Sequence, residues 1–499
     1  MTDIILINPG DRIQTYQSLG KDIAAIEPPT FLLIMAAYLR NKGYSVKIYD
    51  LPAETKSEDE IANEIANIDP HLVGVFVYGY QPSASTQNML AARLICQLIK
   101  DRSPLKIMMS GTHPAALPEK TLREEPVDFV CSRDGFGTTE KLIERIKIDK
   151  TTTDKVYYDD IPDLWYWKYS LPQYTFHGEL LKNKDLDEQV PMPAWDLIDF
   201  NNYRSHNWHA LSNDGIRTPY ASMYTTLGCP YNCSFCCINS PFSELDQPNS
   251  YRMWSPENII KQFEYLVERG VRNIKIVDEM FVLNKKHVIG ICDAIIERGL
   301  GDKLNIWAYA RVDTVKDEFL EKLSKAGFRW LALGIESASK HVRDGANKIY
   351  TNDDIKEIVK KIQSYNINVI GNYIFGLPDD TMESMQNTLD LAKELNCEFA
   401  NFYSAMAYPG SQLYKDALDK GWELPENWNG YSQHAYESFP LRTDALTNAQ
   451  VLGFRDKAYL DYFTNERYLD MVEKKFGIKQ RQDIEEINKI KLKRKVLND

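Results

Sequence analysis

Short apolar runs alternate with helical patterns along the first part of the sequence. This alternation is typical of a parallel sheet with helices packed on its faces. The predicted strands are residues 4–7, 46–48, 73–77, 106–109 and 129–131. We therefore predict an α/β fold in which residues 1–145 form an N-terminal doubly wound, Rossmann-like domain. Its ligand is expected beyond the carboxyl ends of the strands.

A second series of strands and helices begins near residue 221. Its predicted strands are residues 222–226, 273–277, 304–310, 330–335, 369–375 and 399–405. Six such units predict a partial (β/α)6 TIM-type barrel over residues 221–410, with functional residues at the carboxyl ends of the strands. Residues 146–220 are rich in proline and aromatics and are predicted to be a connector between the two domains. Residues 411–499 are predicted to be mostly helical.

The charge balance and the cysteine usage limit the kinds of protein that fit. The 499-residue chain has 71 acidic and 59 basic residues, a formal net charge of −12, which argues against broad nucleic-acid binding. No apolar run approaches the ~20 residues that span a membrane, and the N-terminal segment lacks the pattern of a signal peptide. Scattered cysteines do not indicate a disulfide framework. We expect a cytoplasmic protein that binds neither nucleic acid nor membrane.

Half of the eight cysteines lie in one nine-residue segment, CPYNCSFCC. Three kinds of site compete for it. A zinc site would use Cys229, Cys233, Cys236 and Cys237, although the last two are adjacent and no second pair exists. A redox pair of Cys233 and Cys236 lacks thioredoxin-like surroundings. An iron–sulfur site would use the spacing C-x3-C-x2-C, whose three thiolates leave one iron of a cubane cluster open.

The third pattern resembles the signature of the radical S-adenosylmethionine (SAM) superfamily, C-x3-C-x-aromatic-C, with Phe235 at the aromatic position. The motif follows the first predicted barrel strand, where a barrel places its chemistry. The resemblance implies that Cys229, Cys233 and Cys236 bind a 4Fe-4S cluster, that its open iron chelates SAM, and that Phe235 lies against the adenine. Cys237 matches no ligand position and is expected to be a buried neighbour.

The ends of the later barrel strands carry the other residues that the resemblance assigns to SAM. Asp278 and Glu279 stand where the family usually has a glycine-glutamate motif, but the glycines are missing. Arg311 is expected to bind the SAM carboxylate through a bidentate pair. The alternative for Asp278 and Glu279 is an ordinary acidic loop, and the alternative for Arg311 is a structural ion pair. The predicted SAM-binding residues are Phe235, Asp278, Glu279, Tyr309, Arg311, Glu336, Ser337, Gly376, Leu377 and Tyr408.

The first domain lacks the motifs of common nucleotide sites. Residues 8–12 do not fit G-x-G-x-x-G, and there is no phosphate loop. The domain instead resembles the cobalamin-binding domain ahead of many radical SAM barrels, through the segments IEPPTFLLIMAAYLRNKGYSVKIYD, GYQPSASTQNM, SGTHPAALPEKTL and SRDGFGT. The implied cobalamin-binding residues are Ser83, Ser85, Thr86, Gly111, Thr112, His113 and Gly135.

One position departs from the usual cobalamin domain. Many such domains carry D-x-H-x-x-G, whose histidine binds cobalt from below, whereas Asp50 is followed here by a leucine and then by Pro52. We therefore expect cobalamin that has no histidine ligand from this motif. His113 lies in another loop and is more simply a hydrogen-bonded loop residue. The alternative is a domain that binds no cofactor.

The combined resemblance implies a cobalamin-dependent radical SAM enzyme, most simply a methyltransferase. Such an enzyme methylates an unactivated carbon of a small-molecule or natural-product substrate via methylcobalamin and a 5′-deoxyadenosyl radical. It also needs an external electron donor of the flavodoxin or ferredoxin type. A non-methylating cyclisation, rearrangement or redox reaction is the alternative within the family. An iron–sulfur sensor without enzymatic activity, or a structural zinc protein, is the alternative outside it.

Overall fold

The computed structural model describes residues 2–79, 81–149, 157–243 and 250–499. Its first sheet begins with five parallel strands in the order β2-β1-β3-β4-β5. The strands are β1 Ile4–Asn8, β2 Val46–Asp50, β3 Leu72–Val77, β4 Ile107–Gly111 and β5 Phe129–Cys131. The helices of this region are α1 Arg12–Tyr16, α2 Leu19–Asp22, α3 Thr30–Asn41, α4 Glu58–Ile68, α5 Pro82–Thr86, α6 Met89–Lys100, α7 Thr112–Ala116, α8 Pro118–Glu124 and α9 Phe136–Asp149.

Helices cover both faces of this sheet. Ile5 and Val75 point into a core built with α4 and α6, whereas Ile4 and Leu6 point into a second core built with α3 and α9. The strands are buried on both faces, which explains why they read as continuous apolar runs. The chain order reverses between β1 and β3, and a ligand crevice is expected at the carboxyl ends of these two strands.

The connector adds two strands to the first sheet, and this addition was not predicted from the sequence. Strands β6 Leu164–Lys168 and β7 Leu171–Tyr174 form a hairpin that pairs antiparallel with β5. Two helices follow the hairpin, α10 Asn183–Gln189 and α11 Asn207–Ala210. The hairpin aromatics differ in burial: Tyr166 is 4% exposed, whereas Trp167 is 41% exposed.

The barrel is a half-barrel of six parallel strands in the order β15-β14-β13-β12-β11-β8. Its strands are β8 Tyr220–Met223, β11 Asn273–Ile276, β12 Asn305–Arg311, β13 Phe328–Glu336, β14 Asn368–Phe375 and β15 Phe399–Ser404, and a separate two-stranded ribbon is formed by β9 Thr226–Leu227 and β10 Arg252–Met253. Its helices are α12 Pro256–Glu268, α13 Lys285–Glu297, α14 Asp317–Lys325, α15 Lys340–Gly345, α16 Asn352–Ser364 and α17 Met382–Leu395.

The C-terminal region is helical, as predicted. It contains α18 Gln412–Asp419, α19 Asn448–Phe463, α20 Glu466–Phe476 and α21 Ile478–Ile487. Short 3-10 helices lie at Leu51–Ala53, Trp195–Leu197, Phe200–Asn202, Leu211–Asn213, Gly301–Lys303, Trp428–Tyr431 and Lys495–Leu497. Every strand predicted from the sequence overlaps an observed strand, and the predicted fold class is confirmed. No helix in the described ranges is both long and apolar enough to cross a membrane.

The amino-terminal end of the half-barrel is closed by a tryptophan from the connector. Trp208 on α11 packs edge-on against Trp307 and Trp330, with ring centroids 5.3 and 5.4 Å away, and stacks on Phe399 at 5.5 Å. Large aromatics dominate core energetics because each buries a large apolar area. Trp208 therefore forms the floor of the space inside the barrel.

Replacing this floor should destabilise the protein. Trp208→Ala removes a side chain that is 6% exposed and should lower the free energy of unfolding by about 3–5 kcal/mol, because a cavity remains. Trp167→Ala, at the exposed hairpin, is the matched control and should cost less than about 1 kcal/mol. Urea denaturation followed by circular dichroism measures both. Equal losses in the two variants would contradict the role of Trp208.

Candidate active site

The cysteine motif forms a loop that follows β9 and is held by one asparagine. The side-chain oxygen of Asn239 accepts a hydrogen bond from the Cys229 backbone N–H at 2.9 Å, and its amide nitrogen donates to the Cys229 carbonyl at 2.8 Å. Cys229, Cys233 and Cys236 are half-buried, and Cys237 is buried behind them. Asn239 lies outside the motif, so the spacing of cysteines gave no signal for it.

Two thiols of this loop, those of Cys229 and Cys236, are protonated until a metal binds. Burial raises the pKa of Cys229 to about 12 and raises the pKa of Cys236 well above its ordinary value. Metal binding must therefore release protons. Within the described ranges, no group of three or more His, Cys, Asp or Glu side chains converges on a single-ion site. A cubane cluster does not require such convergence, because each thiolate binds a different iron, and the loop fits that group.

The two acidic residues after β11 have different roles. Asp278 accepts hydrogen bonds from the Thr225 and Thr226 backbone N–H groups at 2.6 and 3.0 Å and from the Thr225 hydroxyl. Burial raises its pKa to about 6, although these bonds oppose the shift. Asp278 thus joins the end of β8 to the end of β11. It was predicted to bind SAM, whereas in the structure its carboxylate is held by Thr225 and Thr226.

Glu279, by contrast, is available to a ligand. It is half-buried, and among the described residues it makes no hydrogen bond or ion pair. Burial raises its pKa to about 8, and the nearby Lys275 ammonium opposes this rise. Its carboxylate also raises the pKa of Cys229, so the two side chains are close. A cationic ligand group beside the cysteine loop would stabilise the ionised form of Glu279.

Arg311 at the end of β12 already has a carboxylate partner. Its guanidinium donates to both oxygens of Asp313, at 2.9 and 3.1 Å, and lies 4.0 Å from the ring centroid of Tyr231. One of its terminal nitrogens is 3.8 Å from the Cys233 sulfur. The structural ion pair considered from the sequence is therefore present. Arg311 also lies at the cysteine loop. A SAM carboxylate bound there would share the Arg311 guanidinium with Asp313.

The end of β13 holds a buried ion pair that the sequence did not reveal. The Glu336 carboxylate accepts from the Lys348 ammonium at 2.6 Å, and each side chain is only 6% exposed. Ser337 points elsewhere, because its hydroxyl lies 3.2 Å from that of Thr388 on α17 and accepts from the Ser339 N–H. Ser337 is fully buried, so the structure places it behind the strand.

An apolar surface forms beside the cysteine loop where β14 ends. Phe235 packs on a cluster that includes Ile374, Leu377 and Val342. Gly376 has φ +82, and a Cβ there would lie 2.7 Å from Val451, so this position requires glycine. Phe235, Gly376 and Leu377, which were predicted to bind SAM, thus lie around this surface. Tyr309 and Tyr408 are the last two of the predicted SAM-binding residues, and neither belongs to this cluster. Tyr309 lies on β12, and Tyr408 packs in a separate cluster with Cys237.

Most of the residues predicted to bind cobalamin are buried, and their contacts hold the ends of the strands of the first sheet together. The Ser85 hydroxyl donates to the Val77 carbonyl and accepts from the His113 N–H at 2.8 Å. Gly111 has φ +135, and a Cβ there would lie 2.1 Å from the Val77 carbonyl oxygen. Glycine is therefore required where β3 and β4 approach each other.

His113 is an interior residue. Its ring lies edge-on to Trp428 with centroids 4.5 Å apart, and its Nδ1 is 3.3 Å from the Thr86 hydroxyl. Burial lowers its pKa to about 3, so the imidazole is neutral near pH 7. Thr112 is also buried, and Gly135 has φ +84 in the turn before α9. The side chain of Ser83 lies outside the described residues.

A cavity of about 290 Å³ lies between the two sheets. The first domain contributes the loops after β1 and β3 and Pro52, at the crevice expected from strand order. The barrel contributes Lys275, Trp307, Tyr309, Asn401 and Tyr403, and the C-terminal region contributes Gln433, His434 and Arg455. Among the described predicted cobalamin residues, none lines this cavity. The loop after β3 belongs to the segment GYQPSASTQNM, on which the resemblance rested, whereas the loop after β1 matched no motif in the sequence analysis.

The first-domain edge of the cavity is built from closely packed loops. A Cβ on Gly10 would lie 2.8 Å from Pro52, and a Cβ on Gly79 would lie 2.6 Å from Ala84. Glycine is therefore required at both positions, where the backbone packs against these side chains. Pro52 stands at the edge in place of a ligating histidine. These residues fit a corrin whose lower face is not bound by a histidine of this motif.

Comparisons with known proteins agree with this arrangement. Residues 18–143 match the B12 binding domain, and residues 223–392 match the radical SAM superfamily. The chain belongs to the cobalamin-dependent radical SAM family. As a radical SAM enzyme of this family, it works with a 4Fe-4S cluster, SAM and cobalamin.

Relatives and a solved structure extend over nearly the whole chain. An uncharacterized methyltransferase of Pyrococcus horikoshii is 27% identical over 469 residues, 93% of each chain. An anaerobic magnesium-protoporphyrin IX monomethyl ester cyclase of Rubrivivax gelatinosus is 25% identical over 93% of this chain and 78% of its own. The fold is similar to that of the methyltransferase TsrM from Kitasatospora setae, with a TM-score of 0.70, 15% identity, and coverage of 98% and 100%.

The cysteine assignment can be tested by metal content. Replacing Cys229, Cys233 and Cys236 together by alanine should abolish the roughly four irons per chain expected after anaerobic reconstitution. Cys237→Ala is the matched control from the same loop and should retain the iron, because its sulfur is buried behind the motif. Iron analysis and visible absorption measure both. Iron that survives in the triple variant would refute the assignment.

Proposed function

We propose that the protein methylates an unactivated carbon of a small molecule. The observation that carries this proposal is the shared cavity, which is lined both by the carboxyl edge of the first sheet and by the interior of the half-barrel. A methyl donor held at the first-domain edge would face the interior of the half-barrel, and a cluster on the cysteine loop would act from the carboxyl ends of the barrel strands. Positioning of this kind accounts for a large part of enzymatic rate enhancement.

The residues that would hold each cofactor follow from the site. Cys229, Cys233 and Cys236 would bind the cluster, and Glu279 and Arg311 would bind the amino and carboxylate groups of SAM. Phe235, Leu377 and the backbone at Gly376 would form the adenine surface. The loops after β1 and β3 would hold the corrin. When bound, these groups supply hydrogen abstraction and a methyl donor, chemistry that protein side chains lack.

The C-terminal segment keeps the cavity wall in place. Arg494 is fully buried and donates to both oxygens of Asp456, at 2.8 and 2.9 Å, and to the carbonyls of Gln433 and Ala435, both at 3.1 Å. This arrangement fixes the segment that presents His434 to the cavity. A fixed wall excludes water from the reacting atoms, which protects reactive intermediates.

The partners proposed from the sequence have a structural rationale. The cavity size suits a small-molecule substrate. Pro230 and Asn232 in the cysteine loop are exposed, so an external electron donor of the flavodoxin or ferredoxin type could approach the cluster there. All eight cysteines are free, which supports a reducing, cytoplasmic setting.

A second function is supported by one comparison. The relative from Rubrivivax gelatinosus is a cyclase, so a cyclisation without methyl transfer is the alternative within this family. Both reactions would use the same cavity. They differ in whether the SAM methyl group ends on the product.

The fate of the SAM methyl group tests the proposed function. With methyl-labelled SAM, label should appear on carbon in the product. Each turnover should yield roughly one 5′-deoxyadenosine and one S-adenosylhomocysteine, because the two cofactors use separate SAM molecules. Mass spectrometry measures all three. Product that forms with 5′-deoxyadenosine but without S-adenosylhomocysteine would contradict methylation and favour the cyclisation.

The lower face of cobalt provides an independent test. Pro52 offers no metal ligand, and the His113 ring is held against Trp428 in the interior. Bound cobalamin should therefore be base-off without histidine ligation. Electron paramagnetic resonance of the cob(II)alamin form should lack nitrogen superhyperfine splitting from an axial imidazole. If such splitting is observed and is lost in His113→Ala, the segment after β4 has rearranged to ligate cobalt and the prediction is wrong.

A further inference from the structure

The charged side chains on the barrel side of the cavity are already matched by partners within the protein. Lys275 on β11 donates to both carboxylate oxygens of Glu27, each at 3.0 Å, and the two side chains are 4% and 15% exposed. Glu27 comes from the first domain, in the segment before α3. The pair therefore spans the boundary between the domains at the cavity wall.

Arg455 on α19 pairs with Asp456, a carboxylate that it shares with Arg494, and the Asp499 carboxylate supplies a second negative charge near Arg494. The Arg455 Nε donates to the Phe402 carbonyl at 2.8 Å, and one terminal nitrogen lies 2.7 Å from a carboxylate oxygen of Asp456. The remaining charged residues of the wall lie on the first-domain side: Asp11 precedes α1, and Arg12 begins it and donates to the Gly20 carbonyl at 3.2 Å. Asp11 caps α1 through the Ile13 and Gln14 N–H groups.

The other polar groups on the barrel side are neutral near pH 7. Burial together with the neighbouring Arg455 and Arg494 charges lowers the pKa of His434 well below its ordinary value. Burial raises the pKa of Tyr309 and of Tyr403. These groups and Asn401 offer hydrogen bonds without charge. The rest of this wall is aromatic, with Trp307 and Phe399 among its residues.

We propose that the barrel side of this cavity selects an uncharged substrate with a largely apolar body and a hydrogen-bonding group. A charged substrate group would enter a space where the fixed charges are already neutralised, and its desolvation would remain uncompensated. An apolar body gains by leaving water for the aromatic wall. This inference deepens the proposed function, because it takes the cavity as the substrate site.

The proposal can be tested with three probes that share one body. Naphthalene methanol, naphthoate and naphthylmethylammonium differ only in a neutral, anionic or cationic tip. Isothermal titration calorimetry with the reconstituted protein at pH 7 should show the alcohol binding at least about tenfold more tightly than either ion, since an uncompensated charge is costly to bury. Tighter binding of either ion, or equal binding of all three, would overturn the proposal.

Variants of the ion pair should change the preferred charge. Glu27→Gln leaves the Lys275 charge unmatched and should raise the affinity for naphthoate by about tenfold, whereas Lys275→Met leaves Glu27 unmatched and should do the same for the ammonium probe. The double variant should again prefer the alcohol. Iron content and circular dichroism check that each variant is folded.

A surface ion pair supplies the matched control. Lys285 pairs with Glu318, and the two side chains are 65% and 41% exposed. Lys285→Met and Glu318→Gln should leave all three probe affinities unchanged. If the control pair shifts probe preference as much as Glu27 and Lys275 do, the selectivity does not come from the cavity and the proposal fails. Probe binding does not require turnover, so failure of methyl transfer with the expected probe selectivity would contradict the proposed function alone.

Discussion

Six parallel strands cannot close a barrel, and this constraint determines how the rest of the chain is arranged. The sheet ends at β8 on one side and at β15 on the other, so the interior of the half-barrel needs a cover from other elements. The first domain supplies most of that cover, and Trp208 and the segment around His434 supply the rest. The seam that a full barrel would close with strands is closed here by loops of the first domain and of the C-terminal region.

Two polar contacts show how closely the first domain fits this seam. The Thr30 hydroxyl at the start of α3 hydrogen-bonds to the Ser222 carbonyl at 2.7 Å, and Glu27 pairs with Lys275. A buried ion pair often contributes little net stability, because desolvation offsets the attraction, but a single unmatched partner is strongly unfavourable. We infer that these contacts fix the orientation of one domain on the other more than they add stability. Apolar packing of α3 on the barrel contributes the larger share.

Local patterns in the sequence predicted the elements, and the structure supplied the long-range pairings. The strands and the cysteine loop could be predicted because strand periodicity and the C-x3-C-x2-C spacing are encoded within a few residues. The hairpin of β6 and β7 was missed because its strands are short and its aromatic residues are partly exposed. Asn239, Lys348 and Glu27 were missed because their partners lie 10, 12 and 248 residues away, outside any short motif.

The predicted site residues form two groups, which differ in the direction of their side chains. Phe235, Glu279 and Arg311 lie at strand ends around one loop, a placement that parallel-strand topology imposes. Asp278 and Ser337 also come directly after barrel strands, but their side chains turn into the protein and hold neighbouring elements. A strand end predicts where a residue lies, whereas the direction of its side chain depends on partners that the local sequence does not specify.

The central claim is that different domains hold two metal-containing cofactors, cobalamin at the carboxyl ends of β1 and β3 and a cluster at the cysteine loop of the half-barrel. Anomalous diffraction at the cobalt and iron absorption edges, from crystals of the anaerobically reconstituted protein with cobalamin, locates both metals directly. The account predicts a cobalt peak beyond the carboxyl ends of β1 and β3, and iron peaks at Cys229, Cys233 and Cys236. Cobalt that lies on another face of the first sheet, or that is absent from a protein with a full iron complement, would contradict it.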